Sequence, residues 1–196
     1  MERWDRQPKT LTRTAHCAGP EGKATTIPIV MAFDDDPIGS GFVTSLARPG
    51  GKITGLSTLA PDISGKQLEL LKEIVPKLSR VAVFGTSTHR GTAQTLPELE
   101  PSAKAFGLTL QYLEISASDS IESSFREAHD SRDDAALVLV SPVVLSRRTQ
   151  IAKLAAKSRL PAVYPWAEFV EDGGLMTYGP TIPDLYRRPP VTSTRS

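Results

Sequence analysis

Short apolar segments alternate with helix-forming segments along this chain, and that alternation constrains its fold more than any other feature. After residue 80 the apolar segments recur roughly every 25 residues, which is the spacing of strand–helix–strand units. The predicted strands in this part are 81–84, 108–115, 136–140, 162–164 and 175–178. Parallel strands need long crossover connections, which helices supply. The sequence therefore predicts an α/β fold with a doubly wound parallel sheet.

The helices between these strands are predicted from their apolar stripes and their end signals. The clearest covers 64–75 and ends at Pro76. Its predicted stripe comprises Leu68, Leu71, Ile74 and Val75. A second, over 96–106, contains Pro97 and Pro101, and Pro101 is expected to kink or restart it. The remaining helical segments are 121–129, 147–158 with Ser146 as its cap, and the short turn 167–171.

The part of the chain before residue 60 is less regular. Strands are predicted at 27–33 and 53–56, and Phe42, Val43 and Leu46 between them have helical spacing. Residues 1–22 have no hydrophobic periodicity, so we expect a poorly ordered tail there.

Composition excludes several classes of protein. Among 196 residues, 23 are Lys or Arg and 22 are Asp or Glu, so a net charge of +1 gives no reason to expect nucleic acid as a partner. The single cysteine, Cys17, excludes an internal disulfide and a multi-cysteine metal site. The longest apolar runs, 27–33 and 135–140, are shorter than the ~18 residues that span a membrane. No secretory signal begins the sequence, so as written the chain is expected to stay in the cytoplasm.

Candidate binding residues lie at the carboxyl ends of the predicted strands, where open α/β sheets bind ligands. They are Asp36, Ser40, Ser57, Thr86, Ser141, Tyr164, Glu168 and Tyr178. Tyr164, Trp166 and Tyr178 either close the core or form an aromatic wall for a ligand. The segment Gly39–Gly41 is either an anion cradle or a tight turn, and the two interpretations are compatible. No nucleophile–base pair, metal site or cofactor motif is recognisable, so neither catalysis nor a cofactor is expected.

Three stretches make the sequence recognisable. Residues 36–57 read DPIGSGFVTSLARPGGKITGLS, 65–77 read GKQLELLKEIVPK, and 168–180 read EFVEDGGLMTYGP. Together they closely resemble the ABC-transporter substrate-binding protein family, in its tryptophan/tyrosine-type branch, over about residues 23–188. The resemblance implies a type I periplasmic-binding-protein fold, in which two lobes close on a small ligand.

The resemblance also implies a division of the chain and a set of partners. Residues 23–65 would form part of lobe one, 66–174 a flavodoxin-like lobe two, and 175–196 a crossover strand with an incomplete return to lobe one. The ligand would be amino-acid-like, and a membrane permease would receive it. Family members are periplasmic or lipoprotein-anchored.

This chain departs from the family pattern in three places. From the sequence as written, we expect the family's signal or anchor and its first βα units to be missing, and the loop 85–90 replaces a Trp-Asn-Pro type of segment. The last eight residues, 189–196, are unlike the family, and a frameshift at Arg188 is one hypothesis for them. A chain truncated in this way is expected to self-associate through exposed lobe-one edges.

Two alternatives stay open at this point. A flavodoxin-like nucleotide-binding enzyme would need a phosphate loop or an Asp/Lys phosphorylation pocket. A ligand-sensing regulatory module would need an N-terminal helix-turn-helix. Neither feature is evident in the sequence.

Overall fold

The structure, a computed structural model, describes residues 29–34, 36–48, 50–58, 60–116 and 118–181. Its strands are β1 (Ile29–Asp34), β2 (Ile53–Ser57), β3 (Arg80–Gly85), β4 (Thr109–Glu114), β5 (Ala135–Val138), β6 (Ala162–Tyr164) and β7 (Met176–Thr177). Its helices are α1 (Ala60–Ile74), α2 (Arg90–Phe106), α3 (Ser118–Asp130), α4 (Pro142–Ser146), α5 (Arg148–Lys157) and α6 (Glu168–Glu171). The predicted tail 1–22, the start of the first predicted strand and the segment 182–196 lie outside the described residues.

Two parallel sheets organise these elements. The small sheet pairs β1 with β2, and the large sheet has the order β4-β3-β5-β6-β7. In that order the chain runs outward from β3 to β4 and then returns to the other side of β3, as in flavodoxin-like folds. The carboxyl ends of β3 and β5 therefore flank the point where the winding direction reverses.

Helices cover both faces of the large sheet, which confirms the predicted doubly wound α/β fold. One core lies against α1 and α2 and contains Leu68, Leu71 and Leu99 among its fully buried residues. The other lies against α3, α5 and α6 and contains Phe84, stacked on Phe125 at 4.6 Å between ring centroids. Adjacent residues of one strand enter opposite cores, as the alternation of a strand requires.

Several helix predictions need correction. The helix that the spacing of Phe42, Val43 and Leu46 predicted is wrong, because residues 37–48 form turns and bends. Gly41 at a φ of 72° ends the single turn that begins at Pro37. In α1, Leu68 and Leu71 are fully buried as predicted, whereas Ile74 is 52% exposed.

Helices α2 and α4 differ from what the sequence predicts. Helix α2 runs without interruption through Pro97 and Pro101, so Pro101 does not restart it. The predicted helix 147–158 is confirmed as α5, Arg148–Lys157, whereas the separate short helix α4 before it is not predicted by the sequence pattern. The predicted cap at Ser146 is not used for α5, because Arg147 takes the cap position and the Ser146 hydroxyl donates to the Val143 carbonyl at 2.8 Å. Ser141 caps α4, since its Oγ accepts the Val144 N–H at 3.1 Å. Pro142 occupies the first position of α4, where proline favours the start of a helix.

Candidate functional site

Five of the eight predicted site residues lie at or next to the carboxyl edge of the large sheet, as the fold requires. They are Thr86 after β3, Ser141 after β5, Tyr164 at the end of β6, Glu168 at the start of α6 and Tyr178 after β7. The structure brings Thr86 and Ser141 into contact, with 3.0 Å between their hydroxyl oxygens. Thr86 and Ser141 thus mark the point where the winding of the sheet reverses.

The protons of both hydroxyls are used within the protein. Thr86 donates to the Ile115 carbonyl at 2.7 Å, so the hydrogen bond between the two hydroxyls must be donated by Ser141. Ser141 also accepts the Val144 N–H. Because each hydroxyl proton is already donated, each of these buried residues can only accept a further hydrogen bond. A group that met this pair would have to be a donor, such as an ammonium.

Tyr164 belongs to the core. Its ring is 1% exposed and stacks on Phe169 with 4.7 Å between ring centroids, and burial raises its pKa to about 12. Gly174 allows this packing, because a Cβ there would lie 2.6 Å from the ring. At the carboxyl edge Tyr164 contributes its main-chain carbonyl instead.

Glu168 and Tyr178 are nearer the surface. Glu168 is half-buried as the first residue of α6, and Tyr178 is 42% exposed. The Tyr178 N–H donates to the Tyr164 carbonyl at 3.3 Å. Both residues are placed to form a rim of the carboxyl edge.

The three predicted residues before residue 60 surround Asp34, whose carboxylate organises the turn after β1. Asp34 Oδ1 accepts the Asp36 N–H at 2.9 Å and the Ser40 hydroxyl at 3.1 Å, and Asp36 Oδ1 accepts the Gly39 N–H at 2.9 Å. Ser57 is the register partner of Asp34 in β2. The predicted binding residues Asp36 and Ser40 therefore have structural partners within their own turn.

This turn lies against the start of α2. Arg90 Nη2 donates to the Gly39 carbonyl at 3.3 Å, and a Cβ on Gly39 would lie 2.7 Å from Gln94 Nε2. The turn after β1 and the start of α2 thus meet at the carboxyl edge.

A cavity also opens at this edge, beside the ends of β5, β6 and β7. We call it the edge cavity, and its lining residues are Thr58, Ile63, Ser64, Gln67, Val138, Val140, Pro165, Trp166 and Pro180. Its volume of about 20 Å³ has room for about one water. The lining combines the Trp166 indole and aliphatic side chains with hydroxyl and amide groups.

Most of these lining residues were not predicted from the sequence. The sequence analysis predicts Trp166 as either a core residue or part of an aromatic wall, whereas Thr58 and Gln67 are not among its candidate residues. Gln67 is 2% exposed, and its Nε2 donates to the carbonyls of Tyr164 and Tyr178. The available signal was a glutamine directly beside the apolar stripe of a helix, where a polar side chain must find buried partners.

Neither a metal site nor a membrane span is found in the part of the chain that the structure describes. There, no cluster of three or more His, Cys, Asp or Glu side chains could hold a metal ion. Within the same residues, no helix has the length and hydrophobicity needed to cross a membrane.

Comparison with known proteins places these features in a family. The family model of ABC transporter substrate binding proteins matches residues 12–185. The tyrosine-binding protein of Clostridioides difficile strain R20291 is 27% identical over 154 residues, which are 78% of this chain and 44% of that protein.

Two solved structures extend the comparison. An ABC domain in complex with L-Trp from Streptococcus pneumonia has a TM-score of 0.68 and 27% identity, covering 81% of this chain and 54% of that one. A ligand-free, open substrate binding protein with adhesive properties from Clostridium difficile has a TM-score of 0.60 and 25% identity, covering 76% of this chain and 50% of that one.

This chain spans about half the length of these relatives. The family match nevertheless covers most of the chain, and the doubly wound sheet agrees with the solved relatives. The chain therefore belongs to the ABC transporter substrate-binding protein family, as its sequence resemblance implied.

Proposed function

We propose that this chain binds a small amino-acid-like ligand at the carboxyl edge of its large sheet, as the binding component of an ABC importer. The edge cavity carries the proposal, because it joins an aromatic wall to hydroxyl and amide groups where open α/β sheets bind ligands. As in the family, the partner would be a membrane permease, and the protein that contains this chain would work outside the cytoplasmic membrane.

The ligand class is proposed from the cavity lining and from the relatives. Trp166 offers an indole face to an aromatic side chain, and Val138 and Val140 offer apolar contacts. One relative is named a tyrosine-binding protein, and another was solved with L-Trp. An aromatic amino acid is therefore the first ligand to test.

Capture requires the edge cavity to widen, since about 20 Å³ is far below the volume of an amino acid. A hinge motion that separates the small sheet from the carboxyl edge would supply that space. In this proposal Asp36, Ser40 and Ser57 line one wall of the open cleft. The opposite wall includes Glu168 and Tyr178 at its rim and the remaining acceptor lone pairs of the Thr86 and Ser141 hydroxyls.

Calorimetry with L-Trp, L-Tyr, L-Leu and L-Asp tests the proposal. We expect the aromatic amino acids to bind most tightly and Trp166→Ala to weaken binding roughly tenfold or more, as loss of a buried aromatic anchor does. Val170→Ala is the matched control, because Val170 is an apolar neighbour that is 41% exposed and outside the cavity lining. Absence of binding to every one of these amino acids at millimolar concentration contradicts the proposal.

We also propose that binding proceeds without turnover. Mass spectrometry of the ligand after incubation should recover it unchanged. A converted product would instead favour the enzyme alternative.

Self-association is a second property to test. Val30, Ile38 and Leu46, on or beside the small sheet, are 57%, 46% and 47% exposed. Apolar side chains exposed near a two-stranded sheet favour association. The average molar mass measured by light scattering should rise with protein concentration, and it should be lower in Leu46→Ser at the same concentration. A wild-type chain that stays monomeric at all concentrations contradicts this.

A further inference from the structure

Gln67 joins three segments beside the edge cavity. Its Nε2 donates to the Tyr178 carbonyl at 2.6 Å and to the Tyr164 carbonyl at 3.3 Å, and the residue is 2% exposed. One side chain therefore ties α1 to the end of β6 and to the segment that leaves β7. The bond to the Tyr164 carbonyl is buried and the bond to the Tyr178 carbonyl is partly buried, so water does not replace them readily.

The segment that leaves β7 is held tightly at the same place. A Cβ on Gly179 would lie 2.6 Å from the Pro165 carbonyl oxygen and 3.9 Å from Ile63 Cγ2. Glycine is thus required where this segment passes between the end of β6 and α1. Thr177 adds another link, since its hydroxyl donates to the Tyr164 carbonyl at 2.9 Å.

Helix α1 is also the element that enters from the small sheet. It follows β2 through Thr58, whose N–H donates to the Asp34 carbonyl at 3.0 Å. Gln67 therefore lies between the segment that enters the large-sheet unit and the segment that leaves it. Trp166 follows Pro165 directly, so the aromatic wall of the edge cavity is attached to the same point.

We propose that Gln67 is a positioning residue that makes α1, the Pro165–Trp166 segment and the segment Tyr178–Pro180 move as one body. Its direct effect is on the backbone, and it reaches a ligand only through Trp166. The consequence for ligand affinity rests on the proposed function. The effect on backbone motion does not, and it can be measured without a ligand.

Gln67→Met is the test variant, because methionine keeps the length and unbranched shape of glutamine but has no donor. Gln150→Met is the matched control, since Gln150 lies half-buried on α5 and outside the edge-cavity lining. Should Gln67→Met not fold, Gln67→Asn keeps the amide and shortens its reach by one methylene.

Hydrogen–deuterium exchange measures the backbone motion of the segments that Gln67 joins. In Gln67→Met we expect the Tyr178 amide and the segment 166–169 to exchange roughly tenfold faster, as loss of a buried hydrogen bond allows. Amides of β3 and β5 should be unchanged, and Gln150→Met should match the wild type. Unchanged exchange at both segments in Gln67→Met overturns the proposal.

Calorimetry with L-Trp then tests the consequence for binding. We expect the dissociation constant to be roughly tenfold larger in Gln67→Met, as the loss of about one buried hydrogen bond implies. An unchanged dissociation constant beside faster exchange overturns the role in binding. If the wild type binds no amino acid, the proposed function fails, and the exchange result alone decides whether Gln67 positions the two segments.

Discussion

At the residue scale, two adjacent aspartates show how neighbours decide ionisation. Burial raises the pKa of Asp133, although Arg80 Nε lies 3.5 Å from its Oδ1 and acts in the opposite direction. Burial also opposes ionisation of Asp134, but hydrogen bonds from the main-chain N–H groups of Ser79 and Arg80 outweigh it and lower the pKa. Two carboxylates next to each other in sequence thus have opposite effects on stability.

Asp134→Ala should lower the free energy of unfolding at pH 7 by about 1–2 kcal/mol, because three donors lose one acceptor. The folded-state pKa lies below the unfolded value, so this stabilisation is present above about pH 4 and is lost as the pH falls through the folded-state pKa. Urea unfolding at pH 7 and at pH 3 measures both effects. The difference between variant and wild type should shrink at pH 3.

Asp133→Asn is the matched comparison. In the wild type, the folded-state pKa of Asp133 lies above the unfolded value, so the charge of its carboxylate disfavours folding at neutral pH. The wild type therefore gains stability as the pH falls through this folded-state pKa. The variant should be at least as stable as the wild type at pH 7 in urea unfolding. A loss of more than about 1 kcal/mol would mean that the ion pair with Arg80 outweighs burial.

At the element scale, α1 shows that one helical side can meet two environments. Gln67 and Ile74 are seven residues apart and so lie on nearly the same side of the helix. Gln67 is 2% exposed and Ile74 is 52% exposed. The end of β6 and the segment leaving β7 contact this side of α1 at Gln67, whereas Ile74, in the last turn, projects into solvent.

Leu71→Asp and Ile74→Asp place the same charge three residues apart on α1. Leu71 is fully buried, so its substitution should cost on the order of 4 kcal/mol or prevent folding. Ile74→Asp should change stability by less than about 1 kcal/mol, because Ile74 is half exposed. Thermal denaturation of both variants measures the contrast. Equal losses would show that the α1 stripe does not face the core as described.

At the scale of the whole molecule, the two sheets differ in how well their faces are covered by other elements. The central strands β3 and β5 are buried on both faces by helices. Among the described residues the small sheet has two strands, and Val30 within it is 57% exposed. Parallel pairs depend on cover from both sides, so the small sheet should open more readily than the large sheet.

Hydrogen–deuterium exchange at the level of single strands tests this difference. Amides of β3 and β5 should exchange at least roughly 100-fold more slowly than those of β1 and β2, which open locally. Ligand binding, if it occurs as proposed, should slow β1 and β2 most. Equal protection of the two sheets in the ligand-free protein would contradict this ranking.

The candidate site was predictable only in part. The carboxyl-edge position of Thr86 and Ser141 follows from strand order, because parallel strands end at one edge. Their contact at 3.0 Å depends on β3 and β5 being neighbours, which local pattern does not encode. Tyr164 was expected at the edge, but its ring enters the core, since strand alternation alone does not say which face has space for it.

The amino-acid sequence by itself determined the βα rhythm, the parallel sheet and the family, because hydrophobic period and motif are local properties of the chain. It also determined the buried positions Leu68 and Leu71. Only the tertiary structure decided that residues 42–46 form no helix, that Ile74 is exposed and that Gln67 is buried between two carbonyls. The helix in question fails because Gly41 and the Asp36 side chain hold a turn there, and the other two outcomes depend on which distant segments contact α1.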